Sequence, residues 1–141
     1  MRKSSLPPVR PRRLRRPRLL IVGCGDVGGR LAARLAGRLG ARWKLIGTGR
    51  TPESLAKIRA LGAVPMAIDL DDRRSARRLA GIASRIVHLV PPPGTGHSDG
   101  RSQRLAAAIG SAAGAGRQAM IVYCGTTGVY GDAGGERLDE T

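Results

Sequence analysis

A run of apolar residues, 19–22, leads directly into the pattern G-x-G-x-x-G formed by Gly23, Gly25 and Gly28. In such a strand-turn-helix the first glycine permits a tight turn and the second lets the backbone approach a pyrophosphate. The third lets the helix pack closely on the strand. Because free amides at the helix N-terminus then face the phosphates, the pattern predicts a dinucleotide site.

The residues after the turn support this interpretation. Such support is needed because the glycine pattern alone is weak evidence in a chain with 21 glycines. Val27, Leu31, Leu35 and Leu39 recur every four residues and predict one apolar helical face. Gly40 is the predicted C-terminal cap of that helix.

The rest of the chain continues to alternate between short apolar runs and helix-like segments. Strands are predicted over residues 19–22, 43–48, 64–68, 85–90 and 118–123, with helices between them. This alternation predicts an α/β fold, a Rossmann-type doubly wound parallel sheet of five strands in the order 3-2-1-4-5, within three αβα layers. Ligands of such sheets bind at the carboxyl ends of the strands.

The end of the second predicted strand indicates which nucleotide would bind. An NAD site carries an acidic residue about 20 residues after the glycine turn, whereas this chain has Arg50 there. A guanidinium can pair with a 2′-phosphate, and the hydroxyls of Thr48 and Thr51 would support it. NADP is therefore the favoured cofactor, with NAD as the alternative if Glu53 reaches a ribose.

Two acidic residues of the predicted site have open roles. Asp26 is an awkward neighbour for a pyrophosphate but is able to cap helix amides. Asp69 either accepts a hydrogen bond from the adenine amino group or stabilises a turn. The full predicted cofactor-binding set is Gly23, Cys24, Gly25, Asp26, Val27, Gly28, Thr48, Arg50, Thr51, Asp69, Leu70, Val90 and Pro91.

Length and charge predict one folded domain with a basic extension. The chain has 141 residues and a net charge of +15, of which eight positive charges fall within residues 1–18, leaving +7 for the rest. Four prolines oppose a regular helix there, so we expect a solvated extension before a domain over residues 19–141. Nucleic-acid binding and a transit peptide are the less favoured interpretations, because no aromatic residue interleaves the arginines.

The two cysteines, Cys24 and Cys124, have neither a metal-ligand spacing nor a disulfide pattern. A small apolar side chain near the cofactor is the favoured role of Cys24, ahead of a catalytic thiol. No metal site is predicted, no apolar run reaches the length of a membrane span, and a reducing, cytoplasmic location is expected. His88, within an apolar strand, is interpreted as a core residue.

The segment 122–131, V-Y-C-G-T-T-G-V-Y-G, resembles the end of the fifth strand in the extended short-chain dehydrogenase/reductase superfamily, in its NAD-dependent epimerase/dehydratase-like group. The resemblance runs from about Leu19 to Thr141 and implies that Thr126 is the catalytic hydroxyl, which would hydrogen-bond the reacting oxygen. The family also uses a tyrosine with a lysine four residues later to exchange a proton. No such pair is present, because the only lysines are at positions 3, 44 and 57.

We therefore expect a truncated oxidoreductase or epimerase/dehydratase relative that holds the cofactor half and not the complete catalytic set. A non-catalytic regulator that senses NADP is the alternative function. Strand five would then have an unpaired edge, which favours a homodimer or aggregation. The sequence does not identify the small-molecule substrate.

Overall fold

The computed structural model describes residues 16–94, 98–114, 116 and 118–125. Five strands lie in one sheet: β1 (Arg18–Val22), β2 (Lys44–Gly49), β3 (Val64–Ala67), β4 (Arg85–His88) and β5 (Met120–Tyr123). Four helices connect them: α1 (Asp26–Leu39), α2 (Pro52–Ala60), α3 (Arg73–Arg77) and α4 (Gly100–Ala113), and a short 3₁₀ turn follows α1.

The strand order is β3-β2-β1-β4-β5 and all four pairings are parallel, which confirms the predicted fold. β1 is the central strand, and Leu20, Ile21 and Val22 are fully buried. Because alternate strand residues point to opposite faces, Leu20 and Val22 pack with α3 and α4, whereas Ile21 packs with α1 and α2. The sheet therefore forms the middle of three layers.

Gly40 ends the first helix as predicted, and local sequence signals also begin the next two helices. Gly40 ends α1 with a positive φ of 48°, and Asp72 caps α3 by accepting bonds from two backbone amides. α2 begins with Pro52 after a reciprocal capping box between Thr51 and Ser54. The caps of α2 and α3 lie in the loops that follow β2 and β3, at the carboxyl ends of those strands.

Six of the ten strand bounds differ from the sequence prediction by one or two residues. β1 begins one residue earlier, at Arg18, because the carbonyl of the preceding Pro17 accepts a bond from Lys44 at 2.9 Å. β4 ends at His88 rather than at residue 90, although the Leu89 amide still reaches the Val22 carbonyl at 2.8 Å. β3 ends similarly early, and α3 is a helix of only five residues.

The predicted apolar face of α1 is wrong at its first position. Ala32 is buried and Leu31 and Leu35 pack on the core, but Val27 is 64% exposed. Val27 and Gly28 both lie in the first turn of α1, and it is Gly28 that packs against β1 and the glycine turn. Val27 instead lies at the mouth of the cavity described below.

β5 is an edge strand of the sheet, as predicted, and its four residues are 42–55% exposed. The residues on both faces of this strand are apolar or aromatic. None of the described helices combines the length and the apolar character that a membrane span needs.

Candidate functional site

A cavity of about 480 Å³ opens at the carboxyl ends of β1, β2, β3 and β4. All thirteen residues of the predicted cofactor-binding set contribute to its wall. Six residues outside that set also line it: Gly49, Ser54, Ile68, Asp71, Leu89 and Arg101. We call this space the strand-end cavity.

The glycine turn has the close packing that its sequence predicts. Gly23 has a φ of +91°, and a Cβ there would lie 2.7 Å from Val90 Cγ2. A Cβ on Gly28 would lie 2.5 Å from the Gly23 carbonyl oxygen, so the helix approaches the turn more closely than any side chain would allow. Both positions therefore require glycine on steric grounds.

Gly25 differs from the other two glycines of the pattern, because no atom beyond its chain neighbours lies within 4 Å of where its Cβ would be. It is exposed and forms the N-cap of α1, and no side chain caps the amides of the first helical turn. Asp26 does not cap them; its carboxylate pairs with Arg30 at 3.1 Å on the exposed helix surface. Open space above uncapped amides suits an anionic group.

Thr48 connects the second strand to the glycine turn. Its hydroxyl accepts a bond from the Gly23 amide and its carbonyl accepts one from Cys24, both at 2.9 Å. The side chain is 3% exposed, so its observed contact stabilises the turn. The hydroxyl of Thr51 likewise accepts a hydrogen bond from the Ser54 amide, at 3.2 Å, in the N-terminal cap of α2.

Cys24 lies at the base of the turn and is half-buried. Burial raises the pKa of its thiol to about 11. A Cβ on Gly47 would lie 2.8 Å from its sulfur, so this glycine makes room for the side chain. These surroundings fit the predicted role of a small apolar side chain better than that of a nucleophile.

Arg50 and Asp69 lie on the wall of the cavity next to β2 and β3. Arg50 is exposed. Asp69 Oδ1 accepts a bond from the Asp71 amide at 2.9 Å, and this is the turn-stabilising contact of the two predicted alternatives. Glu53, the residue considered for an NAD ribose, is outside the wall formed by the described residues.

An ion pair that the sequence analysis missed lies on the same wall. Arg101, at the start of α4, donates to both carboxylate oxygens of Asp71, at 2.9 and 2.7 Å. Asp71 follows β3, and Arg104 of α4 donates to the carbonyl of Leu70 in the same loop. The sequence contained one signal for this ion pair, namely two arginines one helical turn apart and an aspartate after a strand. The signal is weak, because a chain with 25 basic residues offers many possible ion pairs.

His88 lies at the end of β4 and is 2% exposed, which confirms that it is a core residue. Its Nε2 lies 2.8 Å from the Ser102 hydroxyl, which in turn donates to the carboxylate of Asp99. Because that hydroxyl has one proton, it accepts from Nε2, and the ring is the Nε2–H tautomer. Nδ1 is buried and has no hydrogen-bond partner among the described residues.

This environment gives a pH prediction. Burial holds the pKa of His88 below its ordinary value, so the unfolded chain takes up the proton at a higher pH than the folded one. His88 therefore contributes stability above about pH 6.5 that is lost as the pH falls through the folded pKa. Urea denaturation measures the free energy of unfolding at each pH. We expect this free energy to fall more steeply between about pH 7.5 and 5.5 for the wild type than for His88→Gln. Equal slopes would contradict the prediction.

Thr126, the predicted catalytic hydroxyl, and residues 1–15 of the predicted basic extension lie outside the described residues. The described chain ends at Gly125, two residues after β5. The catalytic role of Thr126 therefore stays a prediction.

Comparison with known proteins identifies the fold. No protein-family model and no curated protein matches the sequence. Among solved structures, the chain is 31% identical to a conserved protein of unknown function from Silicibacter pomeroyi, with a TM-score of 0.58 over 89% of this chain. The Citrobacter sp. triphenylmethane reductase, solved with NADP(H), gives 18% identity and a TM-score of 0.61 over 82% of this chain.

A third neighbour is an NADPH-dependent quinone oxidoreductase from Escherichia coli, with 16% identity and a TM-score of 0.54 over 74% of this chain. The chain spans 40%, 39% and 34% of the lengths of these three structures. The likeness to the two reductases is one of fold, and the chain has the Rossmann fold that these nicotinamide-dependent enzymes use.

Proposed function

We propose that this chain binds NADP in the strand-end cavity, as the cofactor domain of a reductase or of an epimerase/dehydratase relative. One observation carries the proposal. The uncapped N-terminus of α1, with open space above Gly25, and the guanidinium-bearing residue Arg50 line the same cavity.

The parts of the cavity match the parts of a dinucleotide. The diphosphate would lie over Gly25, where backbone amides supply donors without a competing side chain. The adenine would lie between Leu70 and Val90, which are apolar and on opposite sides of β1 in the sheet order. The 2′-phosphate would pair with Arg50. In this proposal the nicotinamide, when bound, supplies the hydride chemistry, and the chain binds and orients it.

Calorimetric titration of the purified full chain with NADPH, NADH and 2′,5′-ADP tests this function. We expect saturable NADPH binding, competition by 2′,5′-ADP and weaker binding of NADH. No binding of any of the three below about 1 mM, in a sample shown to be folded, would contradict the proposal.

Substitution at Arg50 tests the nucleotide preference. We expect Arg50→Met to weaken NADPH binding by about tenfold, because a charge-assisted bond to the phosphate is lost, and to leave NADH binding nearly unchanged. Arg77→Met is the matched control, since it removes the same charge from an exposed position of α3 outside the cavity wall. If the two variants lose the same affinity, only the overall positive charge matters and the assigned role of Arg50 is wrong.

A further inference from the structure

Arg101 ties together two loops that border the strand-end cavity. Its Nε and Nη2 donate to the two carboxylate oxygens of Asp71, at 2.9 and 2.7 Å. Its remaining nitrogen, Nη1, donates to the carbonyl of Pro91 at 3.1 Å. All three guanidinium nitrogens are thus engaged, and Asp71 receives the two-bond pairing that suits a carboxylate best.

Asp71 lies close to the position proposed for the 2′-phosphate. β2 and β3 pair in register, with Gly49 opposite Ala67, and the Ile68 amide donates to the Gly49 carbonyl at 3.1 Å. Arg50 directly follows the first strand of this pair, and Asp71 follows the second by four residues. Both side chains line the cavity.

The charges of these two groups also act on each other. The pKa of Asp71 lies below its ordinary value, chiefly because of the hydrogen bonds from Arg101 and further because of the charges of Arg101, Arg104 and Arg50. The carboxylate is therefore ionised at neutral pH. An ionised carboxylate beside Arg50 would repel a dianionic 2′-phosphate unless another cation neutralised it.

We propose that Arg101 determines the preference for NADP over NAD by neutralising Asp71, so that the charge of Arg50 remains available to the 2′-phosphate. The inference rests on the proposed function and deepens it. Arg101 acts through Asp71 and is a positioning residue for the cofactor. Without it, the carboxylate of Asp71 would keep only the looser pairing with Arg104, at 3.9 Å. It would then repel the phosphate of NADP and would be free to accept a hydrogen bond from a ribose hydroxyl of NAD.

The test measures dissociation constants for NADPH and NADH with the full chain and four variants. We expect Arg101→Met to weaken NADPH binding about tenfold, whereas NADH binding should be unchanged or tighter. Asp71→Asn alone should keep or raise the ratio of NADPH to NADH affinity. The double variant Arg101→Met/Asp71→Asn should restore the wild-type ratio, because neither charge remains, and Arg77→Met should leave the ratio unchanged.

A purely structural role of the ion pair predicts a different pattern. If Arg101 only holds the two loops together, Arg101→Met weakens the binding of NADPH and NADH equally, and the double variant does not recover the wild-type affinities. That result, or an unchanged ratio in Arg101→Met, overturns the inference while NADPH binding by the wild type preserves the proposed function. Failure of the wild type to bind either cofactor refutes the proposed function itself.

A folding check accompanies each variant, by circular dichroism and urea unfolding. If Arg101→Met does not fold, Arg101→Lys and Asp71→Asn supply the test, since neither leaves a carboxylate at position 71 without the cation at position 101. Arg101→Lys keeps the cation without the paired hydrogen bonds, so we expect it to keep most of the NADPH preference. A lysine variant that binds NADH better than NADPH would overturn the inference.

Discussion

The Gly28→Ala variant is expected to lose about 3 kcal/mol of its free energy of unfolding. The added Cβ would lie 2.5 Å from the Gly23 carbonyl oxygen and 3.4 Å from Ile21 Cγ2. The nearest of these atoms belongs to the backbone of the glycine turn, so no side-chain rotation relieves the clash. α1 would have to move away from β1, and urea denaturation followed by circular dichroism measures the cost.

Gly37→Ala is the control for this prediction. Gly37 lies on the same helix, and no atom lies within 4 Å of its Cβ position. Alanine has the higher helix propensity, so we expect this variant to gain about 0.5–1 kcal/mol. If the two variants had the same stability, the close approach of α1 to the glycine turn would be disproved.

The Ile58→Ala variant is expected to lose about 3–4 kcal/mol, because it leaves a cavity between α2 and the sheet. Ile58 is 1% exposed, and its side chain fills the space above Gly47 and Gly49 of β2, where added Cβ atoms would lie 2.9 and 3.3 Å from it. The two glycines let α2 approach the strand, and the isoleucine occupies the space that they leave.

Two comparisons calibrate the Ile58 prediction by urea unfolding. Ile58→Val removes one methyl group and should lose about 1 kcal/mol. Val27→Ala removes apolar atoms from a residue that is 64% exposed and should change stability by less than about 0.5 kcal/mol. A loss below about 1 kcal/mol for Ile58→Ala would contradict the packing described for α2.

The sequence predicted the fold because its signals are local. The apolar run before Gly23 and the four-residue repeat after it define β1 and α1 without knowledge of any other part of the chain. Alternation of such units restricts the sheet to few orders. The same locality explains the error at Val27, because helical periodicity carries no information about which helix positions the neighbouring strand covers.

The candidate site was predictable in its backbone and not in its charge pairing. The cavity wall follows from strand ends, and every predicted cofactor residue lies on it. The pair Asp71–Arg101 spans 30 residues and forms only because the loop after β3 meets the start of α4 in the folded chain. The roles of Thr48 and Thr51 were incompletely predicted for the same reason, since their hydroxyls accept backbone amides that the fold brings to them.

The burial of Cys24 has a consequence for how the glycine turn withstands oxidants. With a pKa of about 11, on the order of one thiol in ten thousand is ionised at neutral pH. Only the ionised sulfur reacts readily with peroxide or with a disulfide. A thiol that is almost entirely protonated thus lies beside the backbone on which the proposed diphosphate contact depends, and we expect it to be oxidised slowly.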